Sequence, residues 1–198
     1  MEKNDDGIKV ILLGETSVGK TSLIKVSIDK HFKSLEEVTL SFNYSVKKFN
    51  YNGKEYTFNL WDTIGQEKYR SLTKMFVNNS KIIILVYDIT VQKSFQQLEF
   101  WYNQVTSLVN EEDYILAVVG NKKDLFKNEK VTEEEGKAFA KEKNAKFKLT
   151  SAKDDPLSFV SFLEELFKEY IDKDNEKSDK SKGKKLKKEK NKNKSKCC

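Results

Sequence analysis

The run Gly14-Glu-Thr-Ser-Val-Gly19-Lys20-Thr21 restricts the fold of this chain more than any other stretch. It fits G-x-x-x-x-G-K-[ST] and stands between an apolar run, Ile8 to Leu13, and a helix-like segment, Ser22 to Asp29. That order of strand, loop and helix gives the pattern its physical content. Glycine at each end lets the backbone turn tightly and approach an anion. The turned N–H groups and the helix N-terminus then converge on phosphate oxygens. In such a loop Lys20 brings a point charge to the β- and γ-phosphates, and the Thr21 hydroxyl coordinates Mg²⁺.

Three more segments follow in order, each suited to a different part of one nucleotide site: Asp62-Thr-Ile-Gly65-Gln66-Glu67, Asn121-Lys-Lys-Asp124 and Thr150-Ser151-Ala152-Lys153. With them the chain resembles the small Ras-like GTPases, and Leu60-Trp-Asp-Thr-Ile-Gly-Gln-Glu67 looks like their Rab branch. The resemblance covers Ile8 to Tyr170 and the last two residues, and it implies binding of GTP and GDP with Mg²⁺.

Apolar or alternating runs predict strands near 8–13, 43–51, 54–61, 82–88, 115–120 and 146–149. Asn52-Gly53 is a two-residue hairpin signal between the second and third. Ile82 to Tyr87 is apolar throughout, as a central strand covered on both faces should be. Helical periodicity marks 20–29, 94–109, 132–142 and 157–171. The expected fold is α/β, the three-layer sandwich of P-loop NTPases. Its six-stranded sheet is mostly parallel with one antiparallel strand, and helices cover both faces. The motifs then fall on loops at the carboxyl ends of strands, where such sheets bind ligands.

Guanine selection is expected of Asp124, whose carboxylate can accept from N1–H and from the exocyclic amine; adenine would leave it unpaired. The remaining roles are implied by the resemblance. Gly14, Thr16, Ser17, Val18, Gly19, Lys20, Thr21 and Ser22 form the phosphate loop and the helix start. Asn121 braces the base loop, Lys122 lies along the purine, and Ser151, Ala152 and Lys153 complete the base pocket, with Phe32 edge-on. Thr39 joins Thr21 and Asp62 around the metal, while Thr39 and Gly65 contact the γ-phosphate only while it is present. Gln66 is the expected catalytic residue, orienting the attacking water. No arginine lies in the phosphate loop or the 30–41 stretch, so turnover without an activating protein should be slow. Tyr44, Trp61 and Phe76 match an aromatic triad read by Rab effectors, and as an equal alternative for Trp61 the ring is simply a buried sheet aromatic. Ile64, Glu36 and Ser41 depart from the family pattern; Ile64, where alanine is usual, motivates an alternative reading as a GTP-binding interaction module with negligible hydrolysis.

Charge divides the chain of 198 residues unequally: residues 173–198 hold 12 lysines against 4 acids, +8, and residues 1–172 carry −2. The basic excess therefore belongs to the tail and says nothing of a nucleic-acid face on the folded part. A globular domain over 1–171 and a disordered lysine-rich tail over 172–198 are expected, because the tail has too few apolar residues to bury. The chain ends in Cys197 and Cys198, its only cysteines. They resemble the Rab signal for prenylation, which would anchor the tail beside its lysines. The N-terminus has no apolar signal segment and no run is long enough to span a bilayer. The expectation is a monomeric switch in vesicle traffic on the cytoplasmic face of an intracellular membrane, cycling with the cytosol. Its expected partners are an exchange factor, an activating protein, effectors and prenyl-delivery or extraction proteins; nucleic acid is not among them.

Overall fold

A computed structural model describes residues 7–29, 43–63 and 76–194. Its elements run β1 (Ile8–Leu13), α1 (Lys20–Asp29), β2 (Asn43–Tyr51), β3 (Lys54–Asp62), β4 (Ile82–Asp88), α2 (Gln92–Gln96), α3 (Leu98–Thr106), β5 (Ile115–Asn121), α4 (Glu133–Glu142), β6 (Lys146–Leu149) and α5 (Pro156–Lys194). One six-stranded sheet has the order β2-β3-β1-β4-β5-β6, and only β2 is antiparallel to its neighbour. This is the sheet expected from the alternation of elements.

The hairpin closes where Tyr51 pairs with Lys54 across Asn52 and Gly53, both at positive φ (50° and 75°), as the primed turns require. Every residue of β4 and β5 is buried, because helices cover both faces of the central strands. On one face, α1 and α5 pack over Val10, Leu12, Ile82, Ile84 and Phe58. The Phe58 and Phe167 rings stack there with centroids 3.6 Å apart and planes 7° from parallel. On the other, Trp101 and Val105 of α3 and Ala140 of α4 cover Ile11, Ile83, Leu85 and Tyr87. Thr132 starts α4 with a capping box: its hydroxyl accepts from the Glu135 N–H, and the Glu135 carboxylate accepts from the Thr132 N–H.

Two expectations need correction. The helix placed at 94–109 is two pieces, α2 and α3, joined through Gln97, whose N–H still donates to the Lys93 carbonyl at 3.1 Å; the chain leaves the helix after Thr106. The helix placed at 157–171 runs from Pro156 on to Lys194. Scarcity of apolar residues counts against a core, whereas helix continuation asks only for tolerated backbone, and lysine and glutamate are good helix formers. Two contacts also hold the part of α5 just past the core: the Tyr51 hydroxyl donates to Asp172 Oδ2 at 3.1 Å, and Lys177 donates to the Glu112 carbonyl at 2.8 Å. Among the described residues no helix is long and apolar enough to cross a membrane.

Register sets the site. β1 pairs Leu12 with Asp62 of β3 and Leu13 with Leu85 of β4, and β4 pairs Asp88 with Asn121 of β5. The carboxyl ends of these strands therefore share one rim, and each opens into a loop carrying one of the motifs.

Gly136 gives a test of the packing. Alanine in a helix interior normally gains about 1 kcal/mol over glycine. A Cβ at Gly136, however, would lie 2.5 Å from the Tyr87 hydroxyl and 2.6 Å from the Phe147 ring. Tyr87 is fully buried and cannot swing away. Gly136→Ala should therefore destabilise by about 1–3 kcal/mol, seen as a lower urea midpoint at unchanged slope.

Candidate functional site

The loop after β1 is shaped by three positive-φ residues, Gly14 (150°), Ser17 (64°) and Gly19 (97°). A side chain at Gly14 would strike the Val86 carbonyl at 2.1 Å, so the loop lies directly on β4. At Gly19 a Cβ would meet Asn121 Nδ2 at 2.3 Å. Glycine is thus required by space as well as by dihedral angle. The Leu23 N–H donates to the Gly19 carbonyl at 2.9 Å, so α1 begins inside the loop and its N-terminus faces the concavity.

Lys20 is only 6% exposed. Its ammonium donates to the Gly14 carbonyl at 2.9 Å and the Glu15 carbonyl at 2.8 Å. Burial pushes its pKa down to about 8, against the opposing pull of Asp62 and Glu15. A buried cation so depressed is short of counter-charge, and an anionic ligand at the loop would supply it. One residue on, the Thr21 hydroxyl donates to Asp62 Oδ2 at 2.7 Å. A hydroxyl from α1 and a carboxylate from the end of β3 meet at one point. This pair of hard oxygens fits a small hard cation that takes its remaining ligands from phosphates and water.

Asn121 joins this half to the next. Its Nδ2 donates to the Val18 carbonyl at 2.9 Å, while Oδ1 accepts from the Ala152 N–H at 3.3 Å and the Thr150 hydroxyl at 3.4 Å. One buried amide therefore ties together the loops after β1, β5 and β6. Ser151 donates to Asp124 Oδ1 at 2.6 Å and accepts from the Asp154 N–H at 2.9 Å. That fixes the plane of the Asp124 carboxylate and leaves it with acceptor sites to spare. Lys122 takes a left-handed conformation (φ 67°, ψ 36°), and its ammonium pairs with Asp88 Oδ2 at 2.7 Å.

The structure thus gathers Gly14, Ser17, Val18, Gly19, Lys20, Thr21, Asp62, Asn121, Lys122, Asp124, Ser151 and Ala152 on one rim. Thr16 and Lys153 stand exposed on the same loops, and Ser22 lies in the first turn of α1. Phe32, Thr39, Gly65, Gln66, Cys197 and Cys198 lie outside the described residues, as do Ile64, Glu36 and Ser41. Of the aromatic triad, Tyr44 and Trp61 face each other across β2 and β3 and stack at 4.9 Å. Tyr44 is 40% exposed. Phe76 is 4% exposed and counts among the buried core residues.

Sequence reasoning missed Asp88 and Thr90. The signal was present: an acidic residue ends a wholly apolar strand at the same rim. It passed unnoticed because the residue stands outside all four motifs.

A model of the Ras family matches residues 9–173. The chain is also similar to the Ras-related protein SEC4 of Saccharomyces cerevisiae. The two are 35% identical over 170 residues, covering 85% of this chain and 78% of SEC4.

Removing the Asn121 amide tests the tie between the loops. Asn121→Ala would strip the Val18 carbonyl, the Ala152 N–H and the Thr150 hydroxyl of a buried partner. At about 1–3 kcal/mol for a buried group left unsatisfied, with water repairing some, a loss of roughly 2–4 kcal/mol is expected in thermal or urea unfolding.

Proposed function

Since the chain belongs to the Ras family as a small GTPase of the Rab branch, we propose that it is a membrane-anchored switch in vesicle traffic, alternating between GTP and GDP forms. The observation that carries this reading is the Asn121 amide, which couples a loop built for phosphate to one built for guanine.

In this reading Lys20 turns its ammonium from the Gly14 and Glu15 carbonyls to the β- and γ-phosphates. Thr21 and Asp62, joined by Thr39, would hold Mg²⁺, which when bound neutralises charge on the phosphate oxygens. Asp124, held by Ser151, accepts from the guanine N1–H and amine, while Ala152 and the Lys153 stem close the pocket. Thr39 and Gly65 read the γ-phosphate, and their release on hydrolysis would reset the surface that effectors recognise. Gln66 orients the attacking water. Without an arginine in the phosphate loop or in residues 30–41, an activating protein supplies the missing charge. Tyr44 and Trp61 form the effector-facing pair, and Cys197 and Cys198 carry prenyl groups beside the lysine-rich tail.

Turnover by the purified protein should be on the order of 10⁻⁴ to 10⁻³ s⁻¹, by analogy with other Ras-like enzymes, and Gln66→Leu should lower it further. Phosphate release over many turnovers measures this, and a purified enzyme turning over near 1 s⁻¹ would contradict the need for an activator.

Guanine selection has its own test. Bound fluorescent GDP should be displaced by GTP and not by ATP. Asp124→Ala should weaken GDP binding by at least a hundredfold, since a desolvated site built to pair with the base loses its partner. Displacement by ATP as readily as by GTP would sink the guanine assignment. For the anchor, mass spectrometry of the native protein should find Cys197 and Cys198 modified; two free thiols would remove it.

A further inference from the structure

Asp88 ends β4 beside Asn121, is 4% exposed, and belongs to none of the four nucleotide motifs. Its carboxylate is fully engaged. Oδ1 accepts from the Thr90 N–H at 2.9 Å and the Thr90 hydroxyl at 2.7 Å, and Oδ2 meets the Lys122 ammonium at 2.7 Å. The Asp88 backbone is fastened as well, its N–H donating to Ser94 Oγ at 3.0 Å. A buried carboxylate held at this many points is a rigid anchor, and an ammonium is what it anchors.

Lys122 needs one. Its backbone sits in the left-handed region, which disfavours side chains that carry a Cβ, and two hydrogen bonds hold it there. The Lys122 carbonyl accepts from the Leu125 N–H at 2.8 Å, and the next N–H, of Lys123, donates to the Thr150 carbonyl at 3.0 Å. The backbone is thus set to send the side chain one way, yet a lysine stem keeps four rotatable bonds. Among the described residues, the pair with Asp88 is what fixes its far end, and with the side chain one-third exposed the pair is partly shielded from water.

We propose that Asp88, supported by Thr90, is a positioning residue of the base site: it holds the Lys122 stem extended as a preformed wall for the purine ring. The inference rests on reading 121–124 as the base loop. A wall that is already ordered costs nothing to order when the nucleotide arrives, and the gain appears as slower release. Because the wall meets the ring face and not its edge, it acts on any purine with the same ring and leaves guanine selection to Asp124.

The test is release of fluorescent GDP, and of fluorescent IDP, which lacks the exocyclic amine, from the full chain in Mg²⁺ with excess unlabelled nucleotide. Asp88→Asn keeps the shape and the Thr90 bonds but faces the ammonium with a neutral amide. It should speed release of both nucleotides about tenfold, the worth of one charge-assisted hydrogen bond, with their ratio unchanged. In a Lys122→Met background Asp88→Asn should add nothing. Thr90→Val, a milder change for use if Asp88→Asn folds poorly, should speed release two- to fivefold and likewise lose its effect beside Lys122→Met. Unchanged release in Asp88→Asn, multiplying factors in the double variant, or a collapsed GDP-to-IDP ratio would each overturn the proposal. Release that is indifferent to Lys122→Met would instead overturn the reading of the base loop itself.

Discussion

A single buried amide governs how the parts of this rim relate. Asn121 donates toward the loop after β1 and accepts from the loop after β6, and it stands at the end of β5 between them. Neither neighbouring loop has regular structure of its own to hold it in place. Remove the amide and two loops lose their common reference, although the sheet beneath keeps its register. The glycine at position 19 belongs to the same constraint, since a Cβ there would occupy the place of the amide nitrogen. The glycine and the asparagine, 102 positions apart, thus describe one contact seen from its two sides.

Electrostatics follows that geometry. Lys20 is buried by the loop that Asn121 braces, and burial lowers its pKa to about 8. An ammonium kept dry and turned on backbone carbonyls is held ready for a stronger acceptor. Asp62 sits within reach of both Lys20 and Thr21, so the rim alternates positive and negative groups where polyphosphate and a divalent cation would alternate in the opposite sense. At the far end the Asp88 and Lys122 pair repeats the arrangement, with the carboxylate inside and the ammonium toward solvent.

Much of this was legible from residues alone, for identifiable reasons. The mixed sheet, parallel but for one strand, followed from alternating elements and one Asn-Gly turn, both local signals. Gly14, Lys20, Thr21, Asn121 and Asp124 declared themselves because their chemistry demands fixed residue types at fixed spacing. Asp88 did not, because its task is to hold another side chain, and many positions in a fold could supply a carboxylate for that. The burial of Phe76 was not legible because an aromatic motif has the same letters whether its ring is covered or bare, and burial is decided by what packs above it. The division between α2 and α3 was invisible because Gln97 keeps right-handed helical angles and still bonds back to Lys93, so no residue type marks it. The full length of α5 was not legible because core-forming capacity and helix continuation are separate matters, and a shortage of apolar residues speaks only to the first.

The continuity of α5 gives the two ends of this chain a mechanical relation. The helix begins at Pro156, three residues after Lys153 of the base pocket, and its backbone stays helical to Lys194, a length of about 58 Å at 1.5 Å per residue. Phe167 stacked on Phe58 clamps its inner half to the sheet, and Tyr51 and Lys177 grip it just beyond. A flexible tether would let the domain tumble at the end of a leash. A helix that stayed straight from the core outward would instead set a standoff and a heading. Were its tip held to a surface, the nucleotide rim would stand off at a set height and face a set direction, and a partner approaching from that surface would meet it always from the same side.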